Sequence, residues 1–286
     1  MISDISVVVN DLETRCLTGG PDGAPTVVFL HDGAWGASSD VSWGEVLPPA
    51  AAGFRVIAPD LLGFGGTAKA LRLDQPPFGF RIRHLFALLD RLGIDDPVHL
   101  VGNSFGGSLA LRALTDASVA PRIASVATVS GTGGPWRTEA SAQLGPFDGS
   151  TDDIRRIVRL LCGDFAASEE QVLARQRWAI TPGHYPSMMA PHLPVPEALQ
   201  TARAADPYPA TLAGVRTPVL LVAGLADPLV EQGWTGHLRE ILPHAQVASL
   251  PYRHSPNISH PAETWQVLDE FLTRCTRTEP AHVAAE

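Results

Sequence analysis

The sequence predicts an α/β fold, in which a mostly parallel, eight-stranded sheet carries helices on both faces and a helical cap is inserted between two strands. Three observations predict it. Short apolar runs, typical of buried parallel strands, recur along the chain. Amphipathic segments separate most of these runs. One long stretch in the middle of the chain contains no strand-like apolar run. Strands and helices that alternate with short links favour parallel connections.

The strands are predicted in two groups. Near the N-terminus, "ISVVVN" and "ETRCLT" indicate two strands that are joined by a turn at Asn10 and Asp11. Six apolar, β-rich runs follow, at residues 26–32, 54–60, 98–104, 123–131, 217–224 and 245–251. The two groups together supply the eight strands.

Helical periodicity fills the gaps between the later strands. Segments with an apolar stripe at the spacing of an α-helix occur at residues 80–93, 106–116, 231–242 and 261–275. Helices in these positions would cover both faces of the sheet.

Residues 135–211 interrupt the alternation, because they contain no strand-like apolar run. Here "TDDIRRIVRLLCGDF" and "SEEQVLARQRWAI" indicate helices, whereas prolines break "TPGHYPSMMAPHLPVP" into a predicted loop. We interpret the segment as a cap that is inserted into a core of residues 1–134 and 212–286. The alternative is a pair of ordinary surface helices.

The composition of the chain argues against several classes of binding partner. The net charge of −9 argues against nucleic acid, since phosphate binding needs a basic surface. No apolar run is long enough to span a membrane, and the three scattered cysteines show neither metal spacing nor a disulfide framework. We expect a cytoplasmic protein that acts on a small molecule without cofactor or metal. The oligomeric state stays open, with a homodimer as one alternative.

The segment "LVGNSFGG" carries the strongest chemical signal. Ser104 lies between an apolar run and a helical segment, which is the context of a G-x-S-x-G nucleophile elbow. Gly102 and Gly106 lack a Cβ atom and leave room for the sharp turn. Phe105 begins the helix, so its N–H group can point at a developing oxyanion. Ser104 is the predicted nucleophile.

A glycine-rich loop, "HDGAWG", follows the strand at 26–32. In this topology such a loop lies beside the elbow and can complete the oxyanion hole. We predict the N–H group of Gly33 as the second donor, with Ala34 as the next candidate.

A serine nucleophile needs a base and an acid that orients the base. Asp227 follows the strand at 217–224, and His254 and His260 follow the last strand. Both positions lie at the carboxyl ends of parallel strands, where active sites of open α/β sheets gather. The chain order Ser, Asp, His fits Ser104 and Asp227 together with one of the two histidines.

Five segments together resemble the α/β-hydrolase superfamily over nearly the whole chain. These are "LHDGAWG", "RVIAPDLLGFGGT", "LVGNSFGG", "VLLVAGLADPLV" and "RHSPNISHPAETWQVLDEFL". The resemblance implies an α/β-hydrolase fold and assigns His254, just after the last strand, as the base. His260 directly precedes Pro261 and is interpreted as an entry residue of the final helix.

Within the superfamily, the chain is most similar to the meta-cleavage-product hydrolases, which cut a C–C bond in vinylogous diketones. Asn103 before the serine and the segment "ARQRWAI" carry this likeness. The resemblance implies that Arg177 binds a substrate carboxylate or dienolate, a task that suits its planar fork. We also predict Asn103, Ala34, Trp178 and Ser255 as substrate-binding residues.

Three departures keep an ester or lactone substrate open as the alternative. Asp32 stands in a loop that usually reads His-Gly-x-Gly-Pro-Gly, and Ser255 replaces the tryptophan that commonly follows the catalytic histidine. An asparagine expected downstream of the loop has no clear counterpart. A non-catalytic receptor and a non-hydrolytic biosynthetic enzyme on the same fold are further alternatives.

Overall fold

The computed structural model describes residues 1–72, 77–164, 168–190 and 206–278. At its centre is one eight-stranded sheet with the order β1-β2-β4-β3-β5-β6-β7-β8. The strands are β1 (Ile2–Val9), β2 (Leu12–Gly19), β3 (Thr26–Leu30), β4 (Arg55–Pro59), β5 (Val98–Asn103), β6 (Ile123–Val129), β7 (Val219–Gly224) and β8 (Gln246–Leu250). All eight predicted strands are present.

Only the N-terminal hairpin departs from the parallel arrangement. Strand β2 pairs antiparallel with β1 and with β4, and every other neighbouring pair is parallel. Asn10 and Asp11 form the turn between β1 and β2 with φ of 49° and 63°. Both residue types tolerate the left-handed region that a two-residue hairpin turn requires. The mostly parallel sheet is therefore confirmed.

The central strands are continuous apolar runs because both of their faces are covered. Every residue of β3 and β5 is buried. Val28 and Leu30 point into one hydrophobic cluster, while Val27 and Phe29 point into the other. Successive side chains of a strand face opposite sides of the sheet, so one run feeds two cores.

Ten α-helices surround the sheet in the described part of the chain. They are α1 (Ser39–Trp43), α2 (Leu47–Ala50), α3 (Gly79–Arg91), α4 (Phe105–Ala113), α5 (Thr151–Cys162), α6 (Glu169–Ala179), α7 (His184–Met189), α8 (Trp234–Ile241), α9 (Pro256–Ser259) and α10 (Pro261–Thr278). Helices α3, α4 and α8 supply Leu88, Leu109 and Leu238 to one cluster. Helices α2 and α10 supply Leu47 and Phe271 to the other. The predicted helices on both faces are confirmed.

The interruption in the pattern falls between β6 and β7 and holds helices α5, α6 and α7. These helices share a third hydrophobic cluster, in which Ile157, Leu161 and Val172 pack with Trp35 of the core. The segment therefore packs as an insertion over the loop that follows β3, while its boundaries at residues 135 and 211 remain predictions.

One part of the insertion differs from the predicted loop. Residues 184–189 form helix α7, although Pro186 lies within it. A proline is tolerated there because the first turn of a helix needs no hydrogen bond from its N–H groups. The rest of the predicted loop, from residue 191 onwards, lies outside the described residues. None of the described helices is both long and apolar enough to cross a membrane.

Two buried histidines lead to an expected pH dependence of stability. Burial lowers the pKa of His99 and of His184 from 6.5 to about 4, because a charged imidazolium would lose its water. The unfolded chain keeps the higher pKa and binds more protons between these values. The free energy of unfolding should therefore be highest above pH 6.5. It should decrease as the pH is lowered toward 4, by on the order of 1–3 kcal/mol per histidine.

Urea denaturation across this pH range measures the effect. In His99→Gln the slope below pH 6.5 should be shallower than in the wild type, because one of the histidines whose pKa is lowered by burial is gone. A wild-type unfolding free energy that stays constant from pH 6.5 to 4 would contradict the expectation.

Candidate active site

The turn around Ser104 is sharp and strained. Strand β5 ends at Asn103, α4 begins at Phe105, and Ser104 between them has φ 52° and ψ −111°. A residue other than glycine keeps this backbone conformation only where the surrounding structure enforces it. Gly106 shows why the motif needs glycine, because a Cβ atom there would lie 2.2 Å from the Leu30 carbonyl oxygen. The strand–turn–helix context of a nucleophile elbow is present.

Three side chains form a hydrogen-bonded chain at this turn. His254 Nε2 lies 2.8 Å from Ser104 Oγ, and His254 Nδ1 lies 2.7 Å from Asp227 Oδ2. Because the carboxylate only accepts, Nδ1 carries the proton and Nε2 is left to accept from the serine hydroxyl. Asp227 Oδ1 accepts the Leu229 N–H at 2.8 Å. The geometry is that of a Ser-His-Asp triad.

The sheet brings these three residues together. Strands β5, β6, β7 and β8 are parallel neighbours, so their carboxyl ends meet at one edge. The loops after β7 and β8 also bond to each other, since the Ala226 N–H donates to the Tyr252 carbonyl at 3.0 Å. His260 lies elsewhere and stacks on Tyr252 with ring centroids 3.5 Å apart. Only His254 reaches Ser104.

Gly33 and Phe105 approach each other closely beside the serine. A Cβ atom on Gly33 would lie 2.8 Å from Phe105 Cβ. Neither N–H group donates to another backbone group of the described chain. Both amides are therefore available to hold an oxyanion. Ala34, the other candidate donor, is not available, because its N–H donates to Asp32 Oδ1 at 2.8 Å.

Asp32 and Arg175 form an ion pair with no exposed side-chain surface. Arg175 Nη2 lies 2.8 Å from Asp32 Oδ2, and Nη1 lies 3.2 Å from Oδ1. Ser42 Oγ donates to Oδ2 at 2.8 Å. Burial alone would raise the pKa of Asp32, but the guanidinium outweighs that effect and holds this pKa well below its usual range. Asp32 is a fixed anion with each oxygen satisfied.

The predicted roles of Arg177 and Trp178 need correction. Arg177 is exposed, pairs with Asp40 at 3.3 Å, and lies 4.9 Å from the centroid of the Trp178 ring. Trp178 Nε1 also approaches Asp40, at 3.3 Å. Neither residue lines the cavity at Ser104. Helical period explains the error, because α6 buries Val172, Arg175 and Ala179 and turns Arg177 to the other side.

Asn103 and Ser255 lie behind the base and do not contact the cavity. Asn103 is fully buried, and its amide nitrogen donates to the His254 carbonyl at 3.2 Å. Ser255 Oγ donates to Asn103 Oδ1 at 3.0 Å. The Ser255 N–H donates to the Leu161 carbonyl of α5 at 2.9 Å. Asn103 and Ser255 therefore do not contact the substrate cavity as predicted. Instead, they hold the backbone that carries His254.

Two chambers meet at Ser104. The larger has a volume of about 480 Å³ and is lined by Ala34 and by apolar side chains of both core and cap. Those apolar side chains are Trp35, Leu144, Leu161, Met188 and Met189. The smaller has a volume of about 280 Å³ and extends past His254 to Ser130, Leu229 and Val230. Phe105, Arg137, Ser141 and Leu144 line both.

Sequence reasoning missed three residues of this site: Arg175, Ser130 and Arg137. The burial pattern of α6 was a usable signal for Arg175, because it shares the apolar face of the helix. Ser130 and Arg137 follow β6 without any motif, so only the fold reveals them. No cluster of three or more His, Cys, Asp or Glu that could hold a metal occurs within the described ranges.

Fold and site define a class of protein. Residues 27–267 match the family model described as alpha/beta hydrolase family. The chain belongs to that family.

Two relatives show which kind of hydrolase the chain resembles. Over 101 residues the chain is 44% identical to the 2-hydroxy-6-oxo-6-(2'-aminophenyl)hexa-2,4-dienoic acid hydrolase of Metapseudomonas resinovorans, covering 35% of this chain and 33% of that protein. The match thus spans about a third of that relative's length. Over 251 residues it is 26% identical to the 2-hydroxymuconate semialdehyde hydrolase of Pseudomonas sp. strain CF600, covering 86% of each.

A solved structure agrees with these relatives. The 2-hydroxy-6-oxo-6-phenylhexa-2,4-dienoate hydrolase of Rhodococcus sp. strain RHA1 superposes with a TM-score of 0.79 at 25% identity, covering 97% of this chain and 99% of that one. The resemblance to meta-cleavage-product hydrolases is confirmed.

Replacing each histidine separately tests the assignment of the base. His254→Ala should lower kcat by roughly 10³-fold or more, because Ser104 loses its proton acceptor. His260→Ala should keep most of the activity, since His260 packs on Tyr252 away from the serine. Steady-state kinetics on any hydrolysed substrate measures both. A larger loss in His260→Ala than in His254→Ala would refute the assignment.

The buried ion pair should be visible in stability. Arg175→Met leaves the Asp32 carboxylate buried without its partner and should lower the free energy of unfolding by about 3–5 kcal/mol. Arg122→Met, which breaks the exposed pair with Asp90, should cost under about 1 kcal/mol. The double variant Asp32→Asn/Arg175→Met should recover part of the loss. Equal losses in the two single variants, measured by urea denaturation, would argue against a buried pair.

Proposed function

We propose that this protein is a serine hydrolase that cleaves a C–C bond in a small, fairly apolar vinylogous diketone. The observation that carries the proposal is the Ser104–His254–Asp227 hydrogen-bonded chain at the junction of two chambers. The names of the relatives, which are hydrolases of hydroxy-oxo-dienoates and of a hydroxymuconate semialdehyde, supply the substrate class.

The first half of the proposed reaction forms an acyl-enzyme. His254 Nε2 takes the proton of Ser104 Oγ, and the oxygen attacks the substrate carbonyl carbon. Asp227 holds the imidazole in the required tautomer and stabilises its charged form. The N–H groups of Gly33 and Phe105 bind the oxyanion that develops. The C–C bond then breaks, and its electron pair leaves on the conjugated fragment, which receives the proton from His254.

Water completes the cycle. His254 takes a proton from a water molecule, and the resulting hydroxide attacks the acyl carbon bound to Ser104. The tetrahedral intermediate collapses, the serine oxygen leaves with the proton from His254, and a carboxylic acid is released. No step requires a metal or cofactor.

The two chambers suit a substrate whose arms extend on either side of the scissile bond. The larger chamber is lined by Trp35, Leu161 and Met188, and its apolar walls favour an alkyl or aryl arm. The smaller chamber offers hydroxyl groups from Ser108, Ser130 and Thr132, which favour a polar arm. The proposal includes the cytoplasmic location suggested by the free cysteines and leaves a homodimer as an alternative.

Ester or lactone hydrolysis is the second candidate, and one observation favours it. The buried arginine of the cap helix is already paired with Asp32. Arg175 is therefore not free to bind a substrate carboxylate or dienolate, which a C–C substrate of this class would present. The same triad and oxyanion donors would cleave an ester without that charge.

A substrate panel separates the two candidates. We expect a higher kcat/KM for 2-hydroxy-6-oxo-6-phenylhexa-2,4-dienoate than for short p-nitrophenyl esters. Ser104→Ala should lower both activities by roughly 10³-fold or more, whereas Ser118→Ala, at an exposed serine, should lower neither. Esters that are turned over orders of magnitude faster than the diketone would reject C–C hydrolysis.

A further inference from the structure

Ionisable side chains are scarce around Ser104. Within the described residues, the two chambers are lined by three of them: Asp32, Arg137 and His254. Asp32 already accepts hydrogen bonds on both oxygens, from Arg175, Ser42 and the Ala34 N–H. His254 is committed to Ser104 and Asp227. Arg137 is left as the charge that a substrate can use.

Within the described residues, the Arg137 side chain forms no ion pair and no hydrogen bond. Its backbone, in contrast, is firmly held. The Thr138 N–H donates to the Leu229 carbonyl at 3.1 Å, and the Glu231 N–H donates to the Trp136 carbonyl at 2.8 Å. Arg137 is thus fixed to the loop that carries Asp227, while its guanidinium stays free.

The backbone next to Arg137 is strained. Trp136 has φ 61°, in the left-handed region that a bulky side chain rarely adopts. Its ring stacks on His237 with centroids 5.5 Å apart. Strain of this kind collects at functional sites, where the surrounding structure enforces it. The conformation places the next residue, Arg137, along both chambers.

Ser130 provides a second, independent observation. It is 1% exposed, and its Oγ atom has no hydrogen-bond partner among the described residues. It lines the smaller chamber together with Arg137 and His254. A buried hydroxyl group normally has a partner, so the unpartnered Ser130 hydroxyl at the cavity wall is available to a ligand atom.

We propose that the smaller chamber binds a carboxylate of the substrate, held by the Arg137 guanidinium with the Ser130 hydroxyl as a further donor. A planar guanidinium can donate two parallel hydrogen bonds to a carboxylate. The larger chamber then takes the apolar arm, because Trp35, Leu161 and Met188 line it. Its charged lining groups, among the residues described, are the neutralised Asp32 and Arg137, which it shares with the smaller chamber. This inference rests on the proposed function and adds the charge and orientation of the substrate.

A matched pair of p-nitrophenyl esters tests the inference without requiring C–C cleavage. One ester carries a terminal carboxylate, and the other is a neutral ester of the same chain length. In Arg137→Gln we expect KM for the acidic ester to rise roughly 10-fold to 100-fold, with kcat changed much less and the neutral ester unaffected. Arg137→Lys should restore part of the affinity, because it keeps the charge but not the fork.

Arg239→Gln is the matched control, since it removes one exposed positive charge from α8 and should leave KM for both esters unchanged. Ser130→Ala should raise KM for the acidic ester only. If both side chains hold one carboxylate, the double variant Arg137→Gln/Ser130→Ala should lose less binding free energy for the acidic ester than the two single variants lose in total. KM for the acidic ester measures this loss.

Several results would overturn the inference. If Arg137→Gln changes KM equally for the acidic and the neutral ester, Arg137 has only a structural role. If KM changes for neither ester, Arg137 does not contact the substrate. If the wild type cleaves the dienoate diketone but Arg137→Gln leaves its KM unaltered, only this inference fails. If the diketone is not cleaved while the acidic ester shows the expected loss, the C–C reaction fails and the carboxylate site stands.

Discussion

The buried pair of Asp32 and Arg175 holds the site in its working arrangement. Each charge loses its water on burial, and the partner charge compensates for most of that loss, with further hydrogen bonds from Ser42 and Ala34 to Asp32. The loop after β3 and the cap helix α6 must therefore stay in contact. Asp32 also accepts the Ala34 N–H, whereas the neighbouring Gly33 N–H donates to no backbone group of the described chain. Helix α7 adds a second link, because His184 accepts the Gly36 N–H at 3.1 Å.

The cap also reaches the other side of the triad. Leu161 of α5 accepts the Ser255 N–H, and Ser255 bonds to Asn103, which in turn holds the His254 carbonyl. One helix of the cap thus supports the backbone of His254, and two others bond to the loop after β3. The cap forms part of the scaffold that sets distances at Ser104, as well as the wall of the larger chamber.

The triad could be predicted because it depends on local signals. The elbow at Ser104 has a short motif, and the carboxyl ends of parallel strands locate Asp227 and His254. Arg177 was predicted in the site from its likeness to a family segment. The structure instead buries Arg175, since helical period and the charge of Asp32 decide which arginine turns inward. Departures at Asp32 and Ser255 were visible in the sequence, but their partners were not.

The sequence by itself determined the order and type of the secondary structure elements, the strained turn at Ser104 and the order of the catalytic residues. These follow from short-range patterns of apolar residues, glycines and strand ends. Only the tertiary structure decided which polar groups are satisfied and which remain free. Arg175 is neutralised by a residue 143 positions away along the chain, whereas Arg137 and Ser130 reach the cavity unpaired. Such pairing depends on contacts between distant segments, which no local pattern encodes.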